Sequence, residues 1–182
     1  GLGGYRFNAF KANSDKAKSG KAAQLMMPVG ANGERVNSVV SACHLGRDMI
    51  NTPANAMGPD DIARAVSLVG ETFGARVAIQ RGEEDGFAEA FPLIHAVGRA
   101  SARPPRLIDL TWGDASAPKV TLVGKGIAFD TGGLDLKPPA GMLLMKKDMG
   151  GSARALATAY MIMALGLPVR LRLLIAAAEN SV

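Results

Sequence analysis

The segment Val123–Gly151 reads VGKGIAFDTGGLDLKPPAGMLLMKKDMGG, and it constrains the chain more than any other stretch. An apolar, strand-like run from Val120 stops at Gly124, and Lys125, Asp130, Lys137 and Asp148 then stand among glycines and apolar residues. A lysine or carboxylate in apolar surroundings must be paired or must hold an ion, because an isolated buried charge is too costly. The segment must therefore fold so that these charges find partners. Any chemistry is expected there.

The rest of the chain supports a globular frame around that segment. Its 182 residues are 48% hydrophobic and 20% charged, enough apolar material for a large core and a poor fit to disorder. The longest apolar run, Ala155–Leu167, is broken by Thr158 and Gly166 and is too short to span a bilayer. The first residues, GLGGYRFNAFKANSDKAKSGK, lack the apolar centre of a secretory signal. A single cysteine, Cys43, rules out an internal disulfide and fits a reducing, cytoplasmic compartment. One cysteine and two histidines cannot build a Cys/His zinc site, so a metal would have to be held by carboxylates. The net charge of +5 would suit a nucleic-acid partner. However, only Lys11, Lys16, Lys18 and Lys21 cluster, and the few aromatics do not alternate with basic residues. Nucleic-acid binding is therefore not the expected main role.

The pattern of elements predicts an α/β fold with a mixed, largely parallel sheet flanked by helices. Residues 1 to about 32 read as a connector without sustained period. Val36–Asn51 reads as a helix stopped at Asn51-Thr52-Pro53, since the residue before proline is pushed out of the α region. Pro59 suits the first turn of a second helix ending near Gly74. Arg76–Gln80 reads as a strand and Glu83–Ala90 as a short helix. Three β-like runs follow: Leu93–Val97, Arg106–Trp112 and Lys119–Val123. Ser152–Leu165 reads as a helix closed by Gly166 and Pro168, and Val169–Ala177 as a returning strand. Ligands of open α/β sheets gather at the carboxyl ends of strands. Lys125, with a long loop carrying Asp130 and Lys137, falls just past one such end; Glu179 and Asn180 follow another.

Asp130 and Asp148 are hard oxygen donors suited to Zn²⁺, Mn²⁺ or Mg²⁺. A lysine amine can also bind a metal once deprotonated, which a nearby dication favours, so Lys125 is a candidate ligand. Lys137, kept charged, would stabilise negative charge developing on a substrate. The plainer alternative is two structural Lys–Asp ion pairs, and spacing alone does not choose between them. Phosphate binding fails on detail: Lys125 is followed by Gly126 rather than Ser or Thr, and Phe129 stands where a dinucleotide GxGxxG needs its last glycine. His44, in a helix, and His95, in an apolar run, read as structural. Cys43 reads as a small buried hydrophobe. Met142, Met145 and Met149 read as core, or as the lining of an adaptable apolar pocket, and Lys146 and Lys147 as solvated or paired with acidic groups elsewhere.

VGKGIAFDTGGLDLKPPAGMLLMKKDMGG resembles the metal-binding core of the leucyl aminopeptidase (cytosol aminopeptidase) family. RDMINTPANAMGP upstream and LPVRLRLLIAAAENSV downstream resemble its flanking segments, so the likeness covers most of Val36–Val182. The resemblance implies two divalent metal ions per subunit, Zn²⁺ or Mn²⁺. Lys125 and Asp148 would bind one metal and Asp130 would bridge both. Lys137 would be the catalytic lysine facing the scissile carbonyl, and Met145 would border the pocket for the first side chain of the substrate. Implied with these are peptide substrates with leucine-like N-terminal residues, attack by a metal-activated water and a homohexamer in the full-length protein.

The departure from the family pattern is equally specific. The motif Asn-Thr-Asp-Ala-Glu-Gly-Arg, which in the family supplies two more carboxylates and an arginine holding a bicarbonate base, does not occur in this sequence. There is no initiating Met, and residues 1–35 resemble only the connector after the family's N-terminal domain. The expectation is an internal fragment, with 36–182 the N-terminal part of the catalytic domain and too little of the site to act alone. The resemblance leaves two other readings: a DNA-binding regulator, and a binding member of the fold that has lost activity.

Overall fold

A computed structural model describes residues 4–11 and 26–182. Lys16, Lys18 and Lys21 of the basic cluster, and part of the expected connector, lie outside the described residues. Six α-helices and four strands follow in order: α1 Gly33–Asn51, α2 Pro59–Phe73, β1 Arg76–Arg81, α3 Phe87–Ala90, α4 Pro92–Gly98, β2 Arg106–Trp112, β3 Lys119–Asp130, α5 Pro139–Met142, α6 Gly150–Ala164 and β4 Arg170–Asn180. Short 3₁₀ turns lie at Ala54–Ala56 and Met145–Met149, these counts being of the described residues. No helix among the described residues is long and apolar enough to cross a membrane.

Local chemistry accounts for the helix ends. Asn32 caps α1, its Oδ1 accepting from the Arg35 N–H at 2.9 Å. Thr52-Pro53 then turns the chain out of the helix. At α2, Pro59 takes the first turn, the Asp61 carboxylate accepts from the Gly58 N–H at 2.9 Å, and Gly74 closes the helix in the left-handed conformation.

The mixed sheet has the strand order β1-β2-β4-β3. The expectation of mainly parallel pairing is corrected: β1–β2 and β2–β4 are antiparallel, and only β3–β4, joined through α6, is parallel. Alternating helices and strands predicted a series of parallel crossovers. The connection from β1 to β2, however, contains helices of only four and seven residues and returns the chain antiparallel. Period-2 burial in β2 and β4 places Ile108, Leu110, Leu171, Leu173, Ile175 and Ala177 against Met49 of α1, Ile62, Val66 and Val69 of α2, and Ala153, Leu156 and Ala159 of α6. Arg106 is buried among them, but its charge is satisfied by Asp60 at 2.6 Å and Glu83 at 3.3 Å.

Three other expectations are corrected. Leu93–Val97 lies in helix α4 rather than a strand, with Pro92 at its first turn and His95 N–H bonded to Phe91 O at 3.0 Å. Periodicity cannot separate strand from helix in so short an apolar run. Only Phe87–Ala90 of Glu83–Ala90 is helical. Finally, β3 continues through its glycines to Asp130, and β4 to Asn180. Gly124 is required by packing, since a Cβ there would lie 2.7 Å from Ser152 Cα of α6. The glycine that reads as a strand end is the contact point for the following helix.

Candidate metal centre

Lys125 and Asp130 now both belong to β3, five positions apart. In a regular strand an odd separation puts two side chains on opposite faces. Here Lys125 pairs with Ala176 and Ile127 with Ala178, but Asp130 pairs with Asn180: three steps on β3 match two on β4. This one-residue bulge resets the phase and returns Asp130 to the face of Lys125.

Lys125 Nζ lies 2.7 Å from Asp148 Oδ2. Asp148 reaches that position from the 3₁₀ turn Met145–Met149, just ahead of α6, and the close approach of α6 to β3 sets the separation. A Cβ on Gly151 would lie 3.0 Å from the Lys125 backbone N, so the helix start sits directly on this stretch of strand. The Asp148 side chain is 15% exposed and that of Lys125 59%. Asp148 Oδ2 is itself buried, and the Lys125 ammonium is its charge partner.

The second pair is more fully built. Asp130 Oδ2 lies 2.8 Å from Lys137 Nζ, while Oδ1 accepts from Asn180 Nδ2 at 2.7 Å and from the Gly132 N–H at 2.9 Å. Gly132 and Gly133, both at positive φ, reverse the chain, and the Lys137 N–H bonds back to Thr131 O at 2.8 Å. That turn is what brings Lys137 onto Asp130. Burial works to raise the Asp130 pKa, but the hydrogen bonds from Lys137, Gly132 and Asn180, with the Lys137 charge, outweigh it and hold the carboxyl below its ordinary value.

The four charged groups form two ion pairs, Lys125–Asp148 and Lys137–Asp130. Among the described residues no three His, Cys, Asp or Glu side chains converge as a metal-holding group. The donor types remain those a dication takes: two carboxylates and an amine. Met145 opens the 3₁₀ turn, half-buried, and Met149 at its end is fully buried core. Lys146, expected in solvent or on an acidic group, instead donates to the Asn51 backbone O at 2.8 Å and ties this turn to the end of α1. His44 packs its ring against Tyr5, with centroids 5.1 Å apart. A groove of about 390 Å³ lined by Asp109, Lys119, Thr121, Arg170 and Arg172 lies at the other end of β3 and β4, and none of the candidate residues lines it.

Two contributions escaped sequence reading. Asn180 was placed after its strand but given no role. Arg103 bonds Glu179 Oε2 at 2.6 Å and Ala54 O at 2.8 Å, fixing the end of β4 against the loop after α1. Glu179-Asn180 at the end of one strand and Asp130 at the end of another were the available signal, but joining them needed the β3–β4 register.

Comparison with known proteins bears on the family and the fold. Residues 44–182 match the model of the cytosol aminopeptidase family, catalytic domain. A probable cytosol aminopeptidase of Mycobacterium marinum is 35% identical over 192 residues, covering 98% of this chain and 37% of the relative. The crystal structure of a cytosol aminopeptidase from Coxiella burnetii superposes with a TM-score of 0.91 at 55% identity, covering 98% of this chain and 37% of that one. The bottromycin maturation enzyme BotP, solved in complex with Mn, superposes at 0.79 with 34% identity, covering 99% of this chain and 38% of that one. The chain thus spans just over a third of the length of the relatives it matches. Given that match over residues 44–182 and this structural agreement, the chain belongs to the cytosol aminopeptidase family.

Proposed function

We propose that this chain carries part of the site of a metal-dependent aminopeptidase that releases N-terminal residues, leucine-like ones preferred, from peptides. Residues 1–35 are assigned to a connector and 36–182 to the N-terminal part of the catalytic domain. One observation supports the reading above others: two Lys–Asp pairs, Lys125–Asp148 at 2.7 Å and Lys137–Asp130 at 2.8 Å, are built from β3, the turn that follows it and the approach to α6.

Lys125 and Asp148 would hold one cation, and Asp130 would serve both. Zn²⁺ and Mn²⁺ each suit a donor set of two carboxylates and an amine. When bound, such a pair of ions activates water and polarises the scissile carbonyl. Lys137 is held with its ammonium at the Asp130 carboxylate, a fixed positive charge to stabilise the oxyanion that develops on the carbonyl. Met145 would border the pocket for the first side chain. Asp130 and Asp148 alone are too few donors for two dications, consistent with a chain that spans just over a third of its relatives' length. A cytoplasmic homohexamer is the assembly and compartment that go with this reading.

The test is turnover of a leucine anilide by the full-length protein, before and after a chelator and after restoring Mn²⁺. Loss and recovery are expected. Turnover that persists through chelation refutes the reading.

A further inference from the structure

Asp130 is the more fully hydrogen-bonded of the two carboxylates, and the reason lies across the sheet. Its Oδ1 accepts two hydrogen bonds, from Asn180 Nδ2 at 2.7 Å and Gly132 N–H at 2.9 Å, which fills the two acceptor sites of that oxygen. Its Oδ2 faces only Lys137, at 2.8 Å, and keeps one acceptor site open. The carboxylate is thus held by one oxygen and presents the other.

Asn180 is firmly placed for this task. It lies opposite Asp130 in the β3–β4 register, directly after the bulge. Its backbone O accepts from both Thr131 N at 3.0 Å and Thr131 Oγ1 at 2.9 Å. The preceding residue, Glu179, is tied to Arg103 at 2.6 Å, so the strand end cannot drift. On the other side of the amide stands Gly133, where a Cβ would come within 3.2 Å of Asn180 Oδ1, so the bare glycine leaves room for the side chain.

The residue type is informative. Lys137 already sets one positive charge against Asp130, at 2.8 Å, and a lysine or arginine at this position would add a second. An uncharged amide orients the carboxylate without adding charge. We infer that Asn180 is the positioning residue for Asp130: its amide locks Oδ1 so that Oδ2 is presented to a divalent cation. This rests on the metal-dependent reading given above.

The experiment is calorimetric titration of metal-stripped full-length protein with MnCl₂, repeated by electron paramagnetic resonance of free Mn²⁺. Asn180→Leu keeps the approximate shape and removes the donor, and Asn180→Ala, which carries the measurement if the leucine variant does not fold, removes both. Each is expected to bind Mn²⁺ about 10- to 100-fold more weakly, the usual effect of losing the partner that orients a ligand. Thr131→Val removes two hydrogen bonds at the same strand junction, Thr131 Oγ1 to Asn180 O at 2.9 Å and Gly133 N–H to Thr131 Oγ1 at 3.2 Å, without touching the carboxylate, and it should bind within about twofold of wild type. Asp130→Asn supplies the reference loss. If the Asn180 variants bind like wild type while Asp130→Asn is impaired, Asn180 does not position the carboxylate. If Thr131→Val loses as much as the Asn180 variants, the role is that of a strand junction only, and the inference fails. If Asp130→Asn itself binds normally, the metal reading is at fault instead.

Discussion

Replacing Gly124 by alanine tests whether the contact between β3 and α6 sets the site. The added Cβ would stand 2.7 Å from Ser152 Cα, 3.2 Å from Ala155 Cβ and 3.2 Å from Gly151 O, so two of the three obstacles are backbone. Carbon atoms pack at about 3.5–4.0 Å, so the start of α6 must retreat by roughly 1 Å. Backbone shifts of this kind in a close-packed core cost about 1–3 kcal/mol, and the upper part of that range is expected because no flexible side chain can give way. For a chain of this size that corresponds to a fall in Tm of about 4–12 °C. The same retreat draws Asp148 from Lys125, so Mn²⁺ affinity of the full-length protein should fall along with stability. Urea unfolding followed by circular dichroism measures the first effect and calorimetry the second. Val123→Thr, on the adjacent exposed position, is the control and should change stability by no more than about 0.5 kcal/mol. A Gly124→Ala protein as stable as this control would show that the close approach does not govern the packing.

Two further outcomes are expected. Asp130 has a folded pKa below its ordinary value, so its ionised form contributes stability that is present above the unfolded pKa, near 4, and is lost as pH falls through the folded pKa. Metal-free Asp130→Asn should therefore show a shallower loss of stability below about pH 4 than wild type, measured by urea midpoints across pH; identical acid limbs would contradict the assignment. In the full-length enzyme, Lys137→Met should lower kcat about 100- to 1000-fold while leaving Mn²⁺ affinity within a few-fold, as expected for a group acting on developing charge rather than on the metal. An equal loss of metal affinity would place Lys137 among the structural pairs instead.

The frame of the molecule was legible where chemistry is local. The proline and glycine stops of α1 and α2, and the alternation in β2 and β4, are written in neighbouring residues. Lys125, Asp130, Lys137 and Asp148 stood out because charge among apolar residues needs a partner. What could not be read was anything dependent on an approach across the fold. Gly124 and Gly126 looked like the end of a strand because the helix and strand that need their bareness lie far along the chain. The direction of β1 and β2 was hidden because helix alternation does not fix strand polarity. Asn180 had no visible task until the register set it beside Asp130.

The extra residue between Ile127 and Asp130 acts as a phase corrector for the whole ionic segment. Length changes in this strand are consequently unequal in effect. An odd insertion or deletion between Lys125 and Asp130 would send one of the two to the wrong side of the sheet. A change of length between Thr131 and Lys137 would instead leave both on their face and carry the Lys137 ammonium away from Asp130. Strand and turn therefore constrain different partners, and each can be altered only at the expense of its own.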